Sequence, residues 1–189
     1  MKLVLKTLPS FFVEEDKIIA ALFAEGLDLL HIDKPDADGE LMERLLSLLP
    51  ERVLGRVFVR GHHRLARDYG LGGITLDWGE PLPEGYKGGV ARSCTDPSYA
   101  REAGKKAAHV LLGGVFGGPG ESLQAYRDAA AKRVYAMGGI TPETAAAARK
   151  AGFGGVVAEE DVWSRFDMHT GQDFKPLLER FAEIRRVAG

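Results

Sequence analysis

The chain has 189 residues, of which 45% are hydrophobic and 28% are charged, a balance that excludes both a disordered and a membrane-embedded protein. The 25 lysines and arginines are matched by 27 aspartates and glutamates, so no excess of positive charge favours binding to nucleic acid or anionic lipid. No apolar run is long enough for a signal peptide or a membrane span. The single cysteine, Cys94, excludes an internal disulfide and fits a reducing compartment. We therefore expect a cytoplasmic protein that binds neither nucleic acid nor membranes.

Short apolar runs alternate with amphipathic stretches along the chain. The runs predict eight strands, at residues 3–5, 27–32, 57–59, 73–76, 90–93, 110–112, 134–137 and 156–158. Helical periodicity with stop signals predicts helices at about residues 18–25, 41–49, 65–69, 97–106, 122–131, 141–151 and 174–181. Alternation of this kind indicates parallel strands joined by right-handed crossovers.

Eight strand–helix units predict a closed (β/α)8 TIM barrel that spans residues 1–189 as one domain. The length lies just below the usual minimum of about 200 residues for this fold. Residues 77–88 contain Pro81, Pro83 and several glycines, so we expect a loop, with a reduced or missing helix, after strand four. An open doubly wound sheet is the alternative, but it usually has fewer strands, and no G-x-G-x-x-G follows the first strand.

In a barrel of this kind, catalytic residues lie at the C-terminal ends of the strands. His31 ends the second predicted strand, and His62 and His63 follow the third. Histidines here could transfer protons or bind a metal ion. Because His62 and His63 are adjacent, their side chains point in different directions, and we expect at least one of them at the surface. Cys94 lies near Arg92, which would favour a thiolate, whereas a small buried cysteine is the ordinary alternative. The chain has no H-E-x-x-H, C-x-x-C or G-x-S-x-G motif, so a metalloprotease or serine-hydrolase site is unsupported.

Two glycines, Gly138 and Gly139, stand directly before a predicted helix that starts at Thr141. Backbone N–H groups at such a place bind phosphate, and barrels often hold a phosphate after strands seven and eight. The same glycines could instead serve only a tight turn. Glu159 and Glu160 follow strand eight, and their charges would repel a phosphate unless both side chains turn away as solvated acids at a helix start.

Several stretches, taken in order, resemble one family. They are residues 29–35, 65–66 with 70–74, 92–94, 113–116, 136–141 and 152–156. Together they are similar to the thiamine phosphate synthase and thiazole tautomerase superfamily, and closest to short, divergent members with an L-H-L-R-K-P motif. The resemblance implies a (β/α)8 transferase of thiamine biosynthesis that joins a pyrimidine diphosphate to a thiazole phosphate and releases pyrophosphate, with Mg²⁺ as cofactor.

The resemblance also implies site residues. The family's Gln-Leu-Arg on strand two corresponds to His31, Ile32 and Asp33, so an acid replaces the arginine, and Lys34 is the basic residue displaced by one position. Ser93 matches the family's serine on strand five. We therefore predict His31, Lys34 and Ser93 as catalytic residues.

Substrate and metal positions carry over in part. Arg60-Gly61 replaces an Asn-Asp pair, so one metal-binding acid is missing, and Glu80 corresponds to the family's aspartate on strand four. We predict Glu80 as a metal ligand, and Arg60, His62, Gly138 and Gly139 as contacts to the substrate or its phosphate.

Other positions depart from the family pattern. Residues 118–121 replace its Thr-x-Thr-Lys, Glu160 replaces a small residue after strand eight, and Gly114 replaces the tautomerase's histidine. Three hypotheses stay open: a divergent synthase or tautomerase-like enzyme acting on a small phosphorylated heterocycle, a non-catalytic ligand-binding or regulatory barrel, and an enzyme of new specificity that uses His31, Lys34, His62 or Ser93. A homodimer is also compatible with the sequence, through an apolar helix face that carries Leu41 and Leu45.

Overall fold

The computed structural model describes residues 1–117, 123–167 and 173–189, and its strands form a closed parallel barrel in chain order. Strand β1 pairs with β2 on one side and with β8 on the other, which closes the ring. The strands are β1 (Lys2–Lys6), β2 (Leu29–Asp33), β3 (Val57–Arg60), β4 (Gly73–Asp77), β5 (Gly89–Cys94), β6 (His109–Leu112), β7 (Val134–Met137) and β8 (Gly155–Ala158). The predicted (β/α)8 TIM barrel is confirmed.

Helices surround the barrel. They are α1 (Glu15–Ala24), α2 (Gly39–Leu48), α3 (Glu51–Leu54), α4 (His63–Asp68), α5 (Pro97–Ala103), α6 (Leu123–Tyr126), α7 (Pro142–Ala151), α8 (Glu160–Trp163) and α9 (Lys175–Ala188). The predicted helix at 122–131 is α6 followed by a 3-10 turn at Arg127–Ala129, and Ser122 lies outside the described residues. The short α3 was not predicted, because Pro50 ends the periodic stretch of α2.

The connection between β4 and β5 runs through residues 78–88 without a helix, as the two prolines and the glycines predict. None of the described helices is both long and apolar enough to cross a membrane.

Side-chain capping fixes where helices begin on the C-terminal side of the barrel. Asp38 accepts hydrogen bonds from the backbone N–H groups of Glu40 and Leu41 at the start of α2. Thr141 forms a reciprocal capping box with Thr144 at the start of α7, and Pro142 occupies the first helical position, where its missing N–H costs nothing. These caps set the loop geometry just beyond the strand ends.

The apolar core has two parts. The larger lies between the strands and the helices, and the smaller fills the barrel interior with Val4, Leu111, Tyr135 and Val157. Because side chains alternate along a strand, every second residue of each strand points into the interior. The charged residues at the strand ends therefore share the inner face with this small apolar cluster.

Candidate functional site

The mouth at the C-terminal end of the barrel carries charged side chains from neighbouring strands. In register, Asp33 is opposite Arg60 and Asp77 is opposite Ser93. Lys6 pairs with His31, which lies two residues before Asp33 on the same face of β2. Opposed residues project from the same face of a sheet, so the barrel register itself brings Lys6, Asp33, Arg60, Asp77 and Ser93 to the mouth.

Four of these residues and Glu159 form a chain of ion pairs. Arg60 Nε contacts Asp33 Oδ1 at 2.6 Å, and Arg60 Nη1 contacts Asp77 Oδ1 at 2.7 Å. Lys6 Nζ contacts Asp33 Oδ2 at 3.0 Å and Glu159 Oε1 at 2.8 Å. The order Asp77–Arg60–Asp33–Lys6–Glu159 alternates in sign, so each cation of this mouth network is held between two carboxylates.

Both cations of the mouth network are held in their charged forms. Burial alone would lower the pKa of Lys6, but hydrogen bonds to Glu159 and Asp33 and their charges outweigh it and raise that pKa. Burial likewise opposes the charge of Arg60, and Asp77 and Asp33 raise the pKa of its guanidinium despite it. The mouth therefore contains two permanently charged cations, each paired with carboxylates.

The acids at the mouth do not fit a Mg²⁺ site. Glu80 Oε2 accepts a hydrogen bond from the backbone N–H of Asp77 at 2.9 Å, and Asp33 and Asp77 are both paired with Arg60. In the ranges that the structure describes, no three His, Cys, Asp or Glu side chains are grouped so as to hold a metal ion. Mg²⁺ requires oxygen ligands in near-octahedral geometry, so the residues present do not support the predicted cofactor or the role of Glu80 as its ligand.

Gly138 and Gly139 border a cleft of about 430 Å³ that continues from the mouth. Glu159, Glu160 and Asp161 line the same cleft. Glu159 turns towards Lys6 and Asp161 is paired with Arg180 at 2.6 Å, whereas Glu160 is exposed. The cleft is therefore lined by acids, two of which are neutralised by named cations.

The two glycines are also required by the backbone. Their φ angles are +91° and +62°, and a Cβ on Gly139 would lie 2.6 Å from the carbonyl oxygen of Phe116. A Cβ on Gly138 would lie 3.1 Å from the backbone nitrogen of Gly114. The close approach of the loop after β6 accounts for both glycines as a tight turn, and a phosphate at this place stays a prediction. The departures at residues 118–121 lie outside the described residues.

His31 lies deeper in the barrel than the mouth. Its side chain is only 1% exposed; Nδ1 is 2.8 Å from Thr75 Oγ1 and Nε2 is 2.8 Å from His109 Nε2. Its ring also stacks on Phe58. Burial lowers the pKa of His31 well below its usual value and that of His109 to about 4, so both rings are neutral near pH 7. These contacts leave His31 no path to a ligand at the mouth.

Lys34 points away from the mouth, because it follows Asp33 and therefore leaves the strand on the opposite face. Its ammonium group donates to Leu8 O at 2.6 Å and Ser10 O at 2.7 Å, and contacts Glu15 Oε1 at 3.0 Å. Two hydrogen bonds and one ion pair therefore hold the ammonium group in place. Lys34 therefore anchors the β1–α1 loop, and its side chain does not face the predicted site.

The remaining candidates occupy three different environments. Ser93 is half-buried at the mouth, in register with Asp77. His62 lies in a separate cleft of about 420 Å³, which is also lined by Asp38 and Glu43, so it does not join Arg60. Burial, with a contribution from Asp96, raises the pKa of Cys94 to about 11, which makes it a structural thiol.

Four members of the mouth network were not predicted as site residues: Lys6, Asp33, Asp77 and Glu159. Strand parity could have identified Lys6 and Asp77, because Lys6 and Val4 alternate with buried outward-facing residues on β1, and Asp77 and Thr75 do the same on β4.

No protein-family model and no curated protein sequence matches the chain. Among solved structures, thiamine phosphate pyrophosphorylase from Bacteroides thetaiotaomicron is 34% identical, with a TM-score of 0.92 over 100% of this chain and 98% of that chain. The Pyrococcus furiosus thiamine phosphate pyrophosphorylase is 18% identical, with a TM-score of 0.78 over 99% and 95% of the two chains.

More distant barrels share only the fold. A 3-hexulose-6-phosphate synthase is 17% identical, with a TM-score of 0.67 over the full length of both chains. The Bacteroides thetaiotaomicron protein, in contrast, is 34% identical over the full length of this chain. This similarity agrees with the family resemblance that the sequence motifs indicate. The chain therefore belongs to the thiamine phosphate synthase superfamily.

Proposed function

We propose that this chain is a thiamine phosphate synthase-like protein of thiamine biosynthesis. Its reaction would join a pyrimidine diphosphate to a thiazole phosphate, giving thiamine phosphate and pyrophosphate. The observation that carries the proposal is the full-length similarity, at 34% identity, to a thiamine phosphate pyrophosphorylase. The ligand would be a small phosphorylated heterocycle, bound at the C-terminal mouth of the barrel, where TIM-barrel enzymes place their chemistry.

The mouth network supplies the charges that this reaction requires. Release of pyrophosphate builds negative charge on the leaving group, and fixed cations that face it stabilise that charge. Arg60 and Lys6 are the cations at this place, and Ser93, in register with Asp77, adds a hydroxyl at the mouth. We assign the diphosphate to Arg60 and Lys6 and the second phosphate to the cleft at Gly138 and Gly139.

A non-catalytic ligand-binding barrel is the second candidate, and a specific observation favours it. Each mouth cation is already neutralised by two carboxylates, and Glu160 adds negative charge to the cleft that would hold the thiazole phosphate. Both features weaken phosphate binding. A thiazole tautomerase-like enzyme has less support, because Gly114 stands where that enzyme has its histidine.

One assay separates these candidates. Purified protein, in excess over the pyrimidine diphosphate, is mixed with thiazole phosphate in the presence and in the absence of Mg²⁺, and thiamine phosphate is measured by its fluorescent oxidation product. Product above the protein-free control supports the synthase. Absence of product, together with heat released when thiamine phosphate is titrated into the protein, supports the binding barrel. Neither product nor heat would contradict both candidates.

The cellular setting is part of the proposal. We place the protein in the cytoplasm, without nucleic-acid or membrane partners, because its charge is balanced and its one cysteine is unpaired. A homodimer stays a prediction; Leu41 and Leu48 are exposed large apolar residues on α2 at which it can be tested. Sedimentation of the Leu41→Lys/Leu48→Lys variant beside the unchanged protein decides whether that face associates.

A further inference from the structure

Arg60 occupies the position between two acids that a metal ion would otherwise take. Its guanidinium bridges Asp33 and Asp77, with contacts of 2.6 and 2.7 Å made by different nitrogen atoms. The side chains of Arg60 and Asp33 are both about four-fifths buried, at 18% and 20% exposure. A planar guanidinium held at two points is fixed in orientation as well as in charge.

A divalent cation at the same two carboxylates would have to displace Arg60. It would gain two ligands but leave the guanidinium, already partly buried, without its partners and next to a like charge. The neighbouring acids do not replace those ligands, because Glu159 is paired with Lys6 and Glu80 caps the backbone of Asp77. Lys6, which also contacts Asp33, adds a second like charge against the incoming metal.

We propose that the Arg60 guanidinium, fixed between the Asp33 and Asp77 carboxylates, is the built-in cation of the barrel mouth, so that this chain binds its anionic ligand without a divalent metal ion. The anionic ligand rests on the proposed function; the exclusion of the metal ion rests on the mouth network alone. Lys6 continues the same arrangement towards Glu159 and the cleft at Gly138.

The metal part of the proposal is tested with Mn²⁺, whose binding is followed by electron paramagnetic resonance and calorimetry. The unchanged protein is expected to bind no Mn²⁺ at the mouth at millimolar concentration. Arg60→Gln frees both carboxylates and should tighten Mn²⁺ binding about tenfold or more, since carboxylate oxygens are the ligands such ions prefer. Adding Asp33→Asn to that variant should abolish the gain.

The matched control is Arg64→Gln, which removes an arginine that is 83% exposed and paired with Asp68; it should behave like the unchanged protein. Arg60→Lys keeps the positive charge and should not gain Mn²⁺ binding. This variant therefore shows whether a gain in Arg60→Gln comes from loss of the charge or from misfolding. Circular dichroism and melting of each variant accompany the titrations. Mn²⁺ binding by the unchanged protein that Asp33→Asn or Asp77→Asn weakens would overturn the proposal.

The anion part uses inorganic pyrophosphate as the probe. In EDTA the unchanged protein should bind it, and Arg60→Gln should weaken binding about tenfold or more, because charge-assisted hydrogen bonds from arginine are lost. Replacing EDTA by Mg²⁺ should change the affinity less than threefold, and a strong tightening by Mg²⁺ would overturn the metal-free binding. If pyrophosphate binds under neither condition, the ligand class of the proposed function is wrong, while the Mn²⁺ titrations still decide the role of Arg60.

Discussion

Lys34 and Glu15 form an ion pair that is sealed from solvent, and replacing Lys34 by methionine should destabilise the protein strongly. The side chains are 0% and 2% exposed, and Lys34 also donates to Leu8 O and Ser10 O. Methionine fills much of the same volume but leaves a buried carboxylate without its cation. Removing one partner of a buried pair costs about 3–5 kcal/mol, a large share of the roughly 5–15 kcal/mol that stabilises a typical domain.

The size of this loss should depend on pH. Burial raises the pKa of Glu15 to about 7 even though Lys34 opposes the shift. A carboxyl whose pKa is higher in the folded state than in the unfolded chain favours folding at low pH, and that contribution is lost as pH rises through the folded value. Without Lys34 the pKa of Glu15 rises further, so Lys34→Met should cost clearly more at about pH 8 than at about pH 5, where the carboxyl is neutral.

Urea unfolding followed by circular dichroism at the two pH values measures this effect. Lys17→Met is the matched control, because Lys17 pairs with Glu14 on the surface beside the same helix and exposed pairs contribute little. The double variant Lys34→Met/Glu15→Gln should recover part of the stability at the higher pH. If Lys34→Met changes the free energy of unfolding no more than the control does, or by the same amount at both pH values, the account of this pair is wrong.

Three further predictions concern the backbone, the barrel interior and the thiol. Gly139→Ala should destabilise the protein by about 2–4 kcal/mol in urea unfolding, because the new Cβ clashes with Phe116 and alanine disfavours a left-handed backbone. Gly152→Ala is the control: φ is +95° there as well, but a Cβ at this position would meet no neighbouring atom within 4 Å. It should therefore lose only the stability that the left-handed backbone costs. As pH falls from about 6.5 to 4, the depressed pKa of His109 should remove about 3 kcal/mol of stability, and His109→Gln should flatten that decline in a pH series of melts. Cys94, with its pKa raised to about 11, should react with a thiol reagent at neutral pH much more slowly in the folded protein than in urea, and equal rates would contradict its burial.

Much of the barrel could be predicted from the sequence because its signals are local. Apolar runs of three to six residues and the glycines that end helices depend only on neighbouring positions, and the prolines at 81 and 83 predict the missing helix in the same way. The short helix α3 was not predicted, because a single helical turn after Pro50 is too short to show hydrophobic periodicity.

The site was harder to predict because its geometry depends on strand register. Asp33 alone suggests a charge that repels a diphosphate, but its pairing with Arg60 and Lys6 neutralises it. Neither pairing is visible without knowing which residues are opposed across strands. The alternation of side chains along one strand can be inferred from the sequence, and it already places Lys34 on the opposite face from Asp33. It does not show that His31 lies one layer of side chains too deep in the barrel to reach the mouth.

A crystal structure of the protein grown with pyrophosphate and Mn²⁺ tests the account most directly. We predict pyrophosphate oxygens within hydrogen-bond distance of the Arg60 guanidinium, no anomalous peak between Asp33 and Asp77, and unchanged, buried Lys34 and His31. Pyrophosphate bound away from the barrel mouth, or a Mn²⁺ ion that has displaced Arg60 from the two carboxylates, would contradict it.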